Sequence, residues 1–161
     1  MKKLLVIALC CIAVAFTSCK KEKANERFIG TYEGTITMNA TFDPTFGVDP
    51  ITQEEKTLLN IVAGENDNEI VATLSAPNST IPAIPDSYEL KGTCDGNKLT
   101  FNEITIDAQY EQLPVKLTFN SEATLQGTTL QMTGNGALRT EMLGQQINIA
   151  TVTLKGGLNK K

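Results

Sequence analysis

The sequence predicts an all-β domain of eight antiparallel strands, wound in simple succession into a meander barrel. Three observations lead there. Apolar residues recur at every second position over long runs, turn-forming residues punctuate those runs, and no stretch shows helical spacing. Closing such a meander into a barrel removes its exposed edges.

The chain opens differently. Met1-Lys2-Lys3 precedes an apolar stretch from Leu4 to Phe16, then Thr17-Ser18-Cys19, then the charged Lys20-Lys21-Glu22-Lys23. A basic start, a short apolar core and small residues before a cut site describe an export signal. At roughly 1.5 Å per residue a helix from Leu4 to Phe16 spans about 20 Å, short of a ~30 Å hydrocarbon core. Thr-Ser-Cys resembles the lipobox of bacterial lipoproteins. That resemblance implies removal of residues 1–18 and a diacylglycerol on Cys19, the membrane being the partner through this anchor. Each buried CH₂ contributes about 0.8 kcal/mol, and two acyl chains suffice for stable attachment. Lys20, rather than Asp, follows Cys19; by resemblance to lipoprotein sorting this implies the outer membrane of a bacterial cell envelope, with either side open. An ordinary thiol just past a secretory cut is the alternative.

Removal of residues 1–18 leaves 143 of the 161 residues, enough for one domain with a sizeable core. Lys2 and Lys3 leave with the signal, so 12 basic residues face 18 acidic ones, a net charge of about −6. That balance argues against nucleic acid or an anionic surface as a partner. Cys10 and Cys11 lie in the signal, so with Cys19 acylated Cys94 is the one remaining thiol and no internal disulfide forms. The chain has no histidine and no tryptophan. Ser-His-Asp and Cys-His catalysis, histidine-bound zinc and the usual pH switch therefore fall away.

The elements follow in order. Residues 19–27 hold the acylated cysteine and a charged tether, predicted to be mobile, and the barrel domain covers 28–161. From Phe28 to Phe42 the even positions are Phe28, Gly30, Tyr32, Gly34, Ile36, Met38, Ala40 and Phe42, and among the odd ones only Ile29 is apolar. Strands average about 5–6 residues, so this one must bend, and Gly30 and Gly34 are where it can. Lys56 to Ala63 is less regular but rich in Leu, Ile and Val. Ile70-Ala72-Leu74 and Tyr88-Leu90-Gly92-Cys94 alternate cleanly. Leu99-Phe101 is followed by Ile104-Ile106 with a slip of phase, which predicts a bulge or bend. Val115 to Leu125 and Leu130 to Leu138 alternate again, and Ile147-Ile149 slips against Val152-Leu154. Gly64 to Asn68, Asp95-Gly96-Asn97 and Gln126-Gly127 are tight-turn sequences. Two longer connections remain, Asp43–Glu55 and Ala76–Ser87, the second with Ile81 and Ile84 between prolines. Loops of this length are often functional.

The opening Phe28-Ile29-Gly30-Thr31-Tyr32-Glu33-Gly34-Thr35-Ile36, behind a lipoprotein signal, resembles the calycin-like lipoproteins of gut Bacteroidetes. The Gly-Thr-Tyr-x-Gly-Thr segment carries the likeness, with Tyr32 where the aromatic of the lipocalin Gly-x-Trp stands. The resemblance implies a lipocalin-like barrel over roughly residues 28–158. It brings no catalytic residue and no cofactor.

Candidate chemistry is sparse. Glu65-Asn66-Asp67-Asn68-Glu69 offers oxygen ligands but lacks the order of a calcium loop, and a polar hairpin turn is expected instead. Asp43, Asp49, Glu103, Asp107 and Glu111 could serve a paired-carboxylate hydrolase, yet their spacing selects no pair. A non-enzyme without a metal site is expected. Cys94 is in phase with Tyr88 and Leu90, which makes it a buried structural thiol. Tyr88 and Tyr110 either meet a ligand at the barrel mouth or pack its rim. The candidate cavity lining is Tyr32, Met38, Phe42, Tyr88, Phe101, Leu117, Phe119 and Met132. An eight-stranded barrel either fills itself with side chains or holds one small ligand. Two functions are therefore expected as alternatives. One is a membrane-anchored barrel binding a small apolar or amphipathic molecule. The other is a non-catalytic structural lipoprotein that meets an envelope protein through the Ile81–Ile84 loop.

Overall fold

The computed structural model describes residues 23–75, 87–110, 113–142 and 144–161. Among these, the strands are β1 (Gly30–Phe42), β2 (Ile51–Ala63), β3 (Glu69–Ser75), β4 (Ser87–Asp95), β5 (Lys98–Phe101), β6 (Ile104–Tyr110), β7 (Leu113–Gln126), β8 (Thr129–Met142) and β9 (Gln145–Lys160). Two short 3-10 turns, Glu26–Phe28 and Pro44–Phe46, complete the regular structure, and the described residues contain no α-helix. All pairings are antiparallel, in the order β5-β4-β3-β2-β1-β9-β8-β7-β6, and an additional β5–β7 pairing closes the ring.

The eight expected runs become nine strands at the first phase slip. β5 pairs with β4 and with the end of β7 at Glu122–Thr124, whereas β6 pairs with β7 from Leu113 to Phe119. Asn102 and Glu103 interrupt one strand position, and β5 and β6 together fill a single place in an eight-stranded barrel. The second slip is a bulge. Leu138 faces Ala150 while Arg139 faces Asn148, so Ile149 is the extra residue, and both Ile149 and Ala150 turn inward.

One expected loop is shorter than its composition suggests. β2 begins at Ile51, not near Lys56, because β1 offers it a continuous ladder from Ala40↔Ile51 to Gly30↔Ile61. Pairing with a formed neighbour outweighs the weak strand preference of Gln53-Glu54-Glu55. The connection that remains turns at Asp43, whose carboxylate accepts from the Thr45 amide at 2.9 Å and hydroxyl at 2.6 Å. These bonds hold the Asp43 carboxyl below its ordinary range.

Among the described residues, strand pairing runs all the way round the ring at one end only. β3 meets β2 from Leu58 to Ala63, and β4 meets β5 from Gly92 to Asp95. The Asn102 amide donates to the Lys91 carbonyl at 2.7 Å where β4 and β6 part. Beyond that point, Ile51–Thr57 of β2, the first residues of β4 and the outer edge of β6 have a side with no paired strand among the described residues.

Two apolar clusters fill the barrel. At the closed end Phe28, Tyr32, Leu59, Ile61, Leu99, Phe101, Leu130 and Leu158 are among the buried residues. At the other end Phe42, Val115, Ile149 and Ala150 pack with Val48 of the β1–β2 connection. Burying each large side chain contributes about 1.5–3 kcal/mol.

The tether expected over residues 19–27 is corrected from Lys23 onward. The turn Glu26–Phe28 carries Phe28 into the closed end, and Asn25 is 1% exposed. Asn25 Nδ2 donates to the carbonyls of Asn66 at 3.2 Å and Glu69 at 2.8 Å, and its amide donates to Asp67 at 3.1 Å. Lys23 Nζ stands 2.9 Å from the Asp67 carboxylate. A short polar side chain that satisfies turn carbonyls is worth more here than the solvation its neighbours' charge suggested.

Candidate functional site

A cavity of about 100 Å³ lies between the two clusters, at the height where the ring stops closing. Its back wall comes from the inner faces of adjacent strands: Ile36 and Met38 of β1, Leu154 of β9, Met132 of β8, and Leu117 and Phe119 of β7. Leu74, Tyr88 and Leu90 stand on the β3–β4 side, and Ile104 and Ile106 on the β6 side. These last five stand on either side of the place where, among the described residues, β4 and β6 part without pairing, so the cavity sits behind that gap. Its inner-face side chains Met38, Leu74, Leu117 and Leu154 are only half-buried, whereas their counterparts nearer the closed end are fully buried.

Phe119 explains why space is left. A Cβ on Gly134 would lie 2.5 Å from the Phe119 ring, and one on Gly136 would lie 2.6 Å from it. The two glycines let the ring lie back against β8 instead of standing across the barrel. In the same way Gly34 lets β1 approach β9, where a Cβ would meet the Gly157 carbonyl at 2.1 Å. The small residues of the inner face thus admit a ring and a backbone.

Few polar groups reach the cavity. Tyr88 lines it, and its hydroxyl is buried with no hydrogen-bond partner among the described residues. Burial pushes the Tyr88 hydroxyl pKa up, so at neutral pH it is a donor. Glu55 and Thr57 of β2 also face inward, Glu55 being 8% exposed. The Thr57 hydroxyl donates to the Glu55 carbonyl at 3.2 Å, and Gln53 Nε2 donates to Glu55 Oε1. The cavity wall is therefore almost wholly apolar.

The predicted lining divides by height. Met38, Tyr88, Leu117, Phe119 and Met132 line the cavity. Tyr32 and Phe101 do not reach it, being packed in the closed-end cluster, and Phe42 belongs to the opposite cluster. A two-residue period reports which face a side chain takes, not its level along the barrel axis. Cys94 is buried in the closed-end cluster, and burial raises its thiol to about 11. Cys19, Ile81, Ile84 and Glu111 lie outside the described residues, and β6 ends at Tyr110.

The surface carboxylates are occupied with structure. Asp107 lies 3.5 Å from Lys116 Nζ, and Glu103 accepts from Asn120 at 3.0 Å. The Glu65–Glu69 segment is a turn in which the Asn66 amide donates to Glu69 Oε2 at 3.1 Å, with Asn25 fastened to its carbonyls. Among the described residues no three His, Cys, Asp or Glu side chains stand close enough to hold a metal ion.

Sequence reasoning missed Glu55 and Thr57, which fell in or beside an expected loop, and left Ile104 and Ile106 out of the lining. The alternation Glu55-x-Thr57-x-Leu59-x-Ile61 was the available signal. A scan against protein-family models found no match, and a search of curated proteins found none either.

Proposed function

We propose that this protein is an exported, lipid-anchored lipocalin-like barrel of the calycin-like lipoprotein kind, and that it binds a small apolar or amphipathic molecule. The observation that carries the reading is the cavity walled by Met38, Leu117, Phe119 and Met132 behind the β4–β6 gap. Empty apolar space of this kind gains free energy when an apolar guest replaces it, since its lining otherwise lacks contact partners. The anchor reading draws its support from the apolar run Leu4–Phe16 and from Thr17-Ser18-Cys19. The implied place is the bacterial outer membrane.

Two measurements test it on the full-length protein taken from membranes. Solvent extraction followed by mass spectrometry should release a small molecule. Titration with compact apolar compounds should move the methyl resonances of Met38, Ile104 and Met132 to saturation while those of Ile61 and Leu130, in the closed-end cluster, stay still. An empty extract together with unmoved cavity methyls overturns the reading and returns the envelope-scaffold alternative.

A further inference from the structure

We infer that a groove on the outer side of β6, β7 and β8 binds a free amino acid, with Arg139 and Lys116 taking its carboxylate and Glu141 its ammonium group. The groove shares no lining residue with the interior cavity among the described residues, so this site stands or falls apart from the reading above.

The groove holds about 230 Å³ between Asp107 of β6, Lys116 and Thr118 of β7, Arg139 and Glu141 of β8, and Gln146 of β9. Lys116, Arg139 and Glu141 are exposed, whereas their chain neighbours Val115 and Thr140 are buried, as alternation along a strand requires.

Strand register sets two cations side by side. Lys116 stands opposite Arg139, and Asn148 flanks Arg139 on its other side. Like charges directly opposite one another on paired strands repel. Lys116 has a partner in Asp107, 3.5 Å away. Arg139 makes no ion pair or hydrogen bond among the described residues. The chain's other arginine, Arg27, by contrast donates to Asn97 Oδ1 at 2.8 Å. An anion seated between Lys116 and Arg139 relieves their repulsion, and a guanidinium fork matches a carboxylate in shape.

A second unpaired charge decides the kind of anion. Glu141 lies two residues along the same face of β8, with Gln146 opposite it, and it too has no ion pair among the described residues. Two residues of strand cover about 7 Å. A simple anion gains at Arg139 and loses against Glu141 and Asp107. A guest with an ammonium group beside its carboxylate gains at both Arg139 and Glu141. A free amino acid carries that pair on one carbon, and the groove leaves room for its side chain. The charges are exposed, so affinity is on the order of millimolar.

Three probes dissect the site on the full-length protein in micelles. Glycine carries both charges, acetate only the carboxylate and methylammonium only the cation. Each is titrated at neutral pH and fixed ionic strength, since exposed charges are screened by salt. The backbone amide shifts of Lys116, Thr118 and Arg139 report binding. Glycine should move them to saturation and bind roughly two- to fivefold more tightly than acetate, while methylammonium should not saturate. Arg139→Gln should abolish the glycine response, and Glu141→Gln should bring glycine down to the affinity of acetate. No saturable response to glycine overturns the inference. Equal affinity for glycine and acetate, or a glycine advantage that survives in Glu141→Gln, overturns it too. The glycine–acetate comparison in the unmodified protein decides the matter even if a variant fails to fold.

Discussion

Tyr32 is 0% exposed, yet its hydroxyl has no hydrogen-bond partner among the described residues. Its ring packs in the closed-end cluster with the Lys160 ammonium 5.7 Å from the ring centroid. The ring supplies the burial and the hydroxyl subtracts from it, by about 1–3 kcal/mol for an unsatisfied donor. Tyr32→Phe keeps the ring and the cation–π contact and is expected to hold or raise the melting temperature. About 1 kcal/mol corresponds to roughly 2–4 °C for a domain of this size. A fall of several degrees in thermal unfolding would show that the hydroxyl has a partner after all. Cys94 gives a second residue-scale prediction. Burial lifts its thiol from 9.0 to about 11, so between those values the folded protein keeps a proton that the unfolded chain has released. Stability from this group is fully present below pH 9 and is lost as pH rises toward 11, on the order of 2 kcal/mol in all. Denaturant unfolding at pH 8 and pH 11 should show a smaller loss in Cys94→Ala than in the unmodified protein.

Strands differ in how firmly they are held. β1, β9 and β8 have paired neighbours on both sides for most of their length, whereas Ile51–Thr57 of β2 have only β1 among the described residues. Amides of this half of β2 that point away from β1 should exchange within the fast range of native-state hydrogen exchange. Those of β9 should exchange only with global unfolding. Uniform protection along β2 would mean that another element covers that edge. The same contrast explains what was legible beforehand. Alternation in β1, β7 and β8 announced those strands and their inner faces, because one side of each meets apolar partners. The phase slips at Phe101/Ile104 and at Ile149 were also visible, as a broken strand and a bulge. The start of β2 was not, since Gln53-Glu54-Glu55 has no apolar alternation and is a strand only because β1 pairs with it. The level of each side chain was equally hidden. Phe42, Met38 and Tyr32 read alike along β1 but belong to one cluster, the cavity and the other cluster. Asn25 sat unnoticed in a run of charges, and its role depends on a turn some forty residues away.

At the scale of the molecule, the barrel is asymmetric from end to end. One end is ringed by paired strands and stoppered by Phe28, and at the other the described residues form a half-wall with the cavity behind the place where β4 and β6 part. The N-terminal segment enters at the stoppered end. If Cys19 is acylated as proposed, the four residues from there to Lys23 reach at most about 14 Å, which sets that end next to the membrane. Cys19→Ser should move the protein from the membrane fraction to the soluble fraction of cell lysates, with the barrel still folded by circular dichroism. Undiminished membrane association would remove the anchor from the proposal. The clamp at Asn25 then acquires a mechanical meaning. Tension arriving from the N-terminal side is met by three hydrogen bonds to the carbonyls of Asn66, Asp67 and Glu69 before it reaches β1. The load spreads into the hairpin between β2 and β3, so β1 is not peeled from its neighbours one bond at a time. A tug on the tail is shared by the ring.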